Sequence, residues 1–108
     1  MAAVDLSGKV VVVTGAAGYL GRELCRGLVA AGCPEVRAVD VAPSEGQQWC
    51  AHTSTDRGRV VYRSADVADP DAMAVAVEGA HAIVHTASYG MSGPSMLDTQ
   101  MIRRVNVG

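Results

Sequence analysis

Residues 10–21 read VVVVTGAAGYLG, and this stretch decides the fold. The four valines are a continuous run of β-branched residues, which is typical of a strand buried on both faces of a parallel sheet. Three glycines follow at the spacing G-x-x-G-x-x-G, and a stretch with helical periodicity begins at Tyr19. A buried strand, a glycine turn and a helix in this order predict the first unit of a parallel α/β sheet.

Each glycine of the turn has a separate physical task. Gly15 lets the chain turn sharply off the strand, Gly18 removes the Cβ that would hold a pyrophosphate away, and Gly21 lets the helix lie close to the sheet. The free N–H groups at the start of that helix can hold an anion, so the stretch predicts a dinucleotide site. The alternative is a plain strand-to-helix turn without a ligand, because 12 glycines in 108 residues make chance triplets common.

A carboxylate follows the second predicted strand. Asp40 lies after Gly21 at about the 20-residue separation at which a dinucleotide fold places its ribose ligand. Its two acceptor oxygens can bind the 2′- and 3′-hydroxyls of adenosine ribose and would repel a 2′-phosphate, which favours NAD and disfavours NADP. A solvated loop acid is the alternative, and the sequence leaves open whether the nearby Arg37 reaches a 2′-phosphate.

Composition narrows the class of protein. With 108 residues, 49% of them apolar and none of them Phe, the chain allows one domain with a core of Val, Ala, Leu and Met. The net charge of −2 is dispersed, which argues against a nucleic-acid partner. Three cysteines without a C-x-x-C pair indicate free thiols in a reducing compartment, and we expect no metal site. No signal peptide or membrane-spanning stretch is present in these residues, so we expect a cytoplasmic location.

The remaining pattern predicts an alternation of strands and helices. The predicted strands are 9–14, 36–41, 59–63 and 82–87, and the predicted helices are 19–31, a short one near 47–51, one from Asp69-Pro70 to Gly79, and 96–107. Right-handed crossovers then give a Rossmann-like parallel sheet of order 3-2-1-4, with helices on both faces. The sheet is incomplete, so strand four should be an unpaired edge, and we expect marginal stability or self-association.

Taken together, these features resemble the extended short-chain dehydrogenase/reductases. The resemblance rests on T-G-x-x-G-x-x-G at 14–21, the acid Asp40, Asp-Val at 66–67, His-Thr-Ala-Ser at 85–88, and Val-Asn-Val-Gly at 105–108. Residues 83–93 are similar to the 3β-hydroxysteroid dehydrogenase-like branch. The resemblance implies an NAD-dependent oxidoreductase that oxidises a secondary alcohol, such as a steroid 3β-hydroxyl, in the complete protein.

The resemblance also implies roles for single residues. Beyond the glycines and Asp40, it implies cofactor contacts by Tyr19, Leu20, Asp66, Val67, Thr86, Ala87 and Ser88. Asp66 would accept from the adenine amino group, although a turn or cap residue is an equal alternative. The residues at 86–88 would line the cofactor, where small side chains permit close approach.

Three further residues have competing interpretations. His85 can titrate, yet a histidine inside an apolar strand is more often a hydrogen-bonded core residue than a catalyst. Asn106 resembles the family's helix asparagine that supports the proton relay, and a polar residue on an exposed helix face is its alternative. Trp49 could lie near adenine or pack over the loop, and packing is the favoured interpretation.

The family's catalytic pair is absent from this sequence. Hydride transfer in the family uses a Tyr and a Lys four positions apart, whereas Lys9 is the single lysine here and lies before every tyrosine. We therefore interpret residues 1–108 as one NAD-binding Rossmann half-domain, the N-terminal part of a longer enzyme, and expect it to be inactive alone. The alternative is a non-catalytic dinucleotide-binding sensor or partner module.

Overall fold

The computed structural model describes residues 5–86 and the backbone of residues 101–104. Its strands are β1 (Val10–Thr14), β2 (Glu35–Asp40), β3 (Arg59–Ser64), β4 (Ala82–His85) and β5 (Met101–Arg104). Its α-helices are α1 (Tyr19–Ala30), α2 (Trp49–Thr53) and α3 (Pro70–Ala76), and a 3-10 turn covers Ser44–Gly46. The strands form one sheet in the order β3-β2-β1-β4-β5.

The first four strands confirm the predicted topology. β1 lies between β2 and β4, and all pairings among β1 to β4 are parallel. At the centre, Val13 is opposite Ala38 on one side and Val84 on the other. Because parallel strands run in the same direction, their carboxyl ends lie along the same side of the sheet. Thr14, Asp40 and His85 therefore all lie at that side.

Two hydrophobic clusters cover the two faces of this sheet. Alternating side chains of β1 divide between them, with Val11 and Val13 on the face of α1 and α2, and Val12 on the face of α3. Val12 and Val13 have no exposed surface. Both faces of β1 are therefore covered, as the continuous valine run predicts.

Helix α1 packs its smallest residues deepest. Gly21, Cys25 and Val29 are its buried residues, while Leu24 and Leu28 are partly buried and pack against the same cluster. Leu24 and Leu28, which are four residues apart, therefore lie beside the centre of the contact, because small residues let the helix approach the sheet. The helix ends before Gly32, whose φ of +100° suits a residue without a Cβ.

Helix α3 is fixed at both ends by side chains. Asp69 is its N-cap and accepts from the N–H groups of Asp71 and Ala72, with Pro70 at the first helical position, which confirms the predicted start. At the other end, Arg37 of β2 donates to the carbonyls of Ala76 at 2.9 Å and Glu78 at 2.6 Å. The side chain of Arg37 thus ties β2 to the C-terminus of α3.

The prediction for the last segment is wrong over Met101–Arg104. A helix was expected at 96–107, but these residues form β5, which pairs antiparallel with β4. The apolar spacing in this segment fits a helix, yet an open strand edge offers the backbone hydrogen-bonding partners that a local pattern does not reveal. The expectation that β4 is an unpaired edge is wrong for the same reason. Within the described part of the chain, no helix is long and apolar enough to cross a bilayer.

Candidate functional site

The glycine turn follows β1 at the edge of the sheet where the parallel strands end. Gly15 has a φ of +67°, a conformation that L side chains rarely adopt. A Cβ on Gly15 would collide with the backbone oxygen and the hydroxyl of Thr86. The structure therefore gives Gly15 its predicted role as the sharp turn off the strand.

The other two glycines have different surroundings. A Cβ on Gly21 would lie 2.5 Å from the Cα of Ala16, so this glycine lets α1 pack directly on the backbone that follows β1. Among the described residues, a Cβ on Gly18 would meet only the carbonyl oxygen of Gly15, at 3.6 Å. Space beside Gly18 is therefore open, as an approaching ligand would require.

The N-terminus of α1 is suited to an anion. Gly18 is the N-cap and supplies no side-chain acceptor, and the first turn contains no acidic residue. The first recorded helical bond runs from the N–H of Arg22 to the carbonyl of Gly18 at 3.0 Å. Because the earlier amides of a helix have no partner within it, those of Tyr19 and Leu20 can bind an anion, strengthened by the helix dipole.

Asp40 lies beside this turn, at the end of β2. One carboxylate oxygen accepts from the N–H of Ala17 at 2.8 Å, and the other accepts from the N–H of Val41 at 2.7 Å. The N–H of Ala16 also donates to the carbonyl of Val39 at 3.1 Å. The acid therefore fastens the glycine loop to β2, and each oxygen keeps a lone pair for a further donor.

Thr86 fastens the same loop from the side of β4. Its single hydroxyl proton is shared between the carbonyl of Thr14, at 2.7 Å, and that of Gly15, at 3.1 Å. The hydroxyl of Thr14 in turn lies 2.8 Å from Nδ1 of His85. His85 is thus hydrogen-bonded within its strand, in agreement with the favoured interpretation.

Arg22 and Trp49 join the loop to α2. The Nε of Arg22 donates to the carbonyl of Ala17 at 3.1 Å, and its guanidinium lies 5.4 Å from the centre of the Trp49 ring. The indole N–H donates to the side chain of Gln47 at 2.7 Å, and Trp49 packs against the core. Packing is therefore the observed role of Trp49. Its ring also makes a cation–π contact with Arg22.

Asp66 and Val67, two of the predicted cofactor contacts, lie in the loop after β3. A carboxylate oxygen of Asp66 accepts from the N–H of Ala68 at 2.9 Å, and its carbonyl accepts from the N–H of Asp69 at 2.9 Å. These bonds are those of a turn, the alternative interpretation of Asp66. Val67 is 44% exposed and Tyr19 is 81% exposed, so both offer surface to a ligand.

Several predicted site residues lie outside the described residues. These are Ala87 and Ser88, predicted to line the cofactor, and Asn106, predicted to support the relay.

Tyr62 is described, and its hydroxyl donates to the carbonyl of Ala42 at 2.7 Å. Burial raises the pKa of Tyr62, which is opposite to the shift that a catalytic phenolate needs.

A cleft of about 630 Å³ lies away from this turn, on the face of α3. Arg37, Val61 and Val75 are among its lining residues. Val61 is 42% exposed there because no helix covers β3 on this face in the described part of the chain. None of the residues of the glycine turn lines the cleft.

Sequence reasoning missed the contacts that hold the turn. The hydroxyl bonds of Thr86 and the stacking of Arg22 on Trp49 have no spacing signal. The bond between Asp40 and Ala17 could have been inferred, because neighbouring parallel strands bring their carboxyl ends together.

Comparison with known proteins agrees with this architecture. The model of the 3-beta hydroxysteroid dehydrogenase/isomerase family matches residues 12–108. Short-chain dehydrogenase/reductase family 42E member 1 of Danio rerio is 33% identical over an alignment of 101 residues, which covers 89% of this chain and 22% of that protein. L-sorbose reductase from Gluconobacter frateurii, solved with NADPH and L-sorbose, has a similar fold with a TM-score of 0.61 and 21% identity, over 83% of this chain and 39% of the reductase. The chain thus spans less than a quarter of the curated relative.

Proposed function

The chain belongs to the 3-beta hydroxysteroid dehydrogenase/isomerase family, and we propose that it is the NAD-binding part of an oxidoreductase. The observation that carries this proposal is the position of Asp40 against a glycine turn that opens a helix. The free amides of α1 would hold the pyrophosphate, and the carboxylate of Asp40 would accept from the adenosine ribose hydroxyls. Gly18 would let the pyrophosphate approach the backbone.

The contacts around Asp40 support NAD over NADP. A 2′-phosphate would lie against the negative charge of Asp40, and Arg37 is directed to the carbonyls of Ala76 and Glu78 instead. Arg22 donates to the carbonyl of Ala17 in the loop, and its guanidinium lies over Trp49. We therefore expect Asp40 to set the preference, with Arg22 contributing little.

Bound NAD would accept a hydride from a secondary alcohol, for which the family name suggests a steroid 3β-hydroxyl. The residues of this chain would bind and orient the dinucleotide. The proton relay of Tyr and Lys at family spacing is absent from the 108 residues. The alternative proposal is a dinucleotide-binding module that senses or presents the cofactor without turnover.

Calorimetric titration with NAD and NADP tests the binding proposal. We expect NAD to bind more tightly, and Asp40→Ala to weaken NAD by about 1.5 to 3 kcal/mol, the worth of one charged hydrogen bond. Asp40→Asn keeps an acceptor for Ala17 but loses the charge, so it should raise the affinity for NADP relative to NAD. Arg22→Met is the control and should leave this ratio unchanged. Unchanged NAD affinity in Asp40→Ala, or tighter NADP binding by the unmodified chain, would contradict the assignment.

An assay of steroid oxidation tests the expectation that these residues bind the cofactor without turning it over. We expect the 108-residue chain to bind NAD without reducing it, because positioned proton transfer typically contributes about 10² to 10⁴ in rate. Production of NADH from NAD and a 3β-hydroxysteroid, above a control without protein, would contradict this expectation.

A further inference from the structure

Thr86 uses one hydroxyl to hold two backbone carbonyls at the end of β1. It is 7% exposed and follows directly after β4. Its single hydroxyl proton is shared between the carbonyl of Thr14, at 2.7 Å, and that of Gly15, at 3.1 Å. Its backbone N–H donates to the carbonyl of Thr14 as well, at 3.2 Å.

The carbonyl of Gly15 is the link between this hydroxyl and the turn. It also accepts from the N–H of Gly18, at 3.3 Å. Gly18 is in turn the N-cap of α1. The orientation of the Gly15 peptide therefore determines where the first amides of α1 point, and Thr86 fixes that orientation from β4.

Thr86 and Gly15 are packed too closely to admit a further atom between them. A Cβ on Gly15 would collide with both oxygens of Thr86, so the turn and the end of β4 are in direct backbone contact. A valine at 86 has nearly the shape of threonine but cannot donate. The carbonyl of Thr14 would keep the backbone N–H of residue 86 and that of Gly15 would keep the N–H of Gly18, but the Gly15 peptide would lose its hydrogen bond to the end of β4 and could reorient.

We propose that Thr86 is a positioning residue for the pyrophosphate of the cofactor and acts through the Gly15 peptide without touching the cofactor. This inference rests on the proposed dinucleotide function. A positioning role and a direct contact can be told apart by the half of the ligand whose binding depends on Thr86. A positioning residue of the turn affects every ligand that carries the pyrophosphate, whether or not the nicotinamide half is present.

Titrations of NAD and ADP into the whole chain and two variants test the proposal. Thr86→Val removes the hydroxyl at nearly constant shape, and Thr86→Ser keeps it. We expect Thr86→Val to bind NAD and ADP each about tenfold more weakly, the effect of one hydrogen bond at the upper end of its usual range. Thr86→Ser should bind both ligands within about twofold of the unmodified chain. Circular dichroism at the titration temperature shows that each variant is folded, and Thr86→Ala replaces Thr86→Val if the valine variant is not.

Each other outcome overturns the inference in a distinguishable way. Weaker binding of NAD with unchanged ADP would assign Thr86 a direct contact to the nicotinamide half. Unchanged affinity for both ligands, with only a lower melting temperature, would leave Thr86 a structural residue. Failure of the unmodified chain to bind either ligand would overturn the proposed function together with this inference.

Discussion

Gly15 and Gly18 belong to one motif but meet different surroundings. Gly15 has a positive φ and abuts Thr86, whereas Gly18 has a φ of −77° and open space beside it. The backbone at Gly18 accepts any L residue. The backbone conformation therefore does not require glycine at this position, and the lack of a Cβ leaves room for a ligand.

Alanine at each of these glycines should give opposite results. Gly15→Ala should lower the free energy of unfolding by about 2 kcal/mol or more, through positive-φ strain and collision with Thr86. Gly18→Ala should lower it by about 1 kcal/mol or less, because alanine is a poorer N-cap than glycine, while weakening NAD because the methyl occupies the ligand's approach. Urea unfolding and calorimetry measure the two quantities. NAD binding of normal strength in Gly18→Ala would favour the plain turn.

Among the elements, α3 depends most clearly on a distant side chain. Arg37 donates to two carbonyls at its C-terminus and, through Nε, to Glu35 at 2.8 Å. Arg37→Met should lower the free energy of unfolding by about 1 to 3 kcal/mol, as expected for partly buried hydrogen bonds to a charged group. Arg59→Met is the matched control, because Arg59 is 70% exposed and 3.6 Å from Glu35, and should cost less than about 1 kcal/mol. Equal effects of the two substitutions in urea unfolding would contradict the capping role.

The same ion pair should make stability depend on pH. The hydrogen bond from Arg37 lowers the pKa of Glu35 in the folded chain. A lowered carboxyl pKa gives stability that is present above the unfolded value, about 4.3, and is lost as the pH falls through the folded value. Glu35→Gln should therefore be less stable than the unmodified chain at pH 7, and the difference should shrink towards pH 3. A difference that stays constant between pH 7 and pH 3 would contradict this linkage.

The elements also show what the sequence could and could not reveal. Continuous valines, the glycine turn and the Asp69-Pro70 cap are local signals, so β1, α1 and α3 were predictable in type and nearly in extent. β5 was not, since its four residues pair with β4 through the backbone and carry an apolar spacing that also fits a helix. The site divides similarly. Gly15, Gly21 and the place of Asp40 follow from spacing, whereas the bonds of Thr86 exist only after β4 lies beside β1.

At the scale of the whole molecule, all three cysteines lie on one face of the sheet, so their reactivity measures how often that face opens. Cys25, Cys33 and Cys50 are the three cysteines of the chain and belong to the cluster beneath α1 and α2. Cys25 and Cys33 have no exposed surface, and Cys50 is 6% exposed. Burial raises the pKa of Cys25 to about 12 and that of Cys50 to about 11.

These thiols should react only when that face of the sheet opens. The thiolate is the reactive form, so burial and a raised pKa both protect a thiol from Ellman's reagent at pH 8. We expect slow, concerted reaction of the three cysteines in the folded chain and rapid reaction in urea. NAD at 100 times its dissociation constant should slow the reaction of the folded chain by up to about 100-fold, because a ligand that binds only the closed state stabilises it by about 2.7 kcal/mol. One cysteine reacting at the unfolded rate would show that α1 or α2 opens separately, and unchanged rates with saturating NAD would show that the cofactor turn and this core are not coupled.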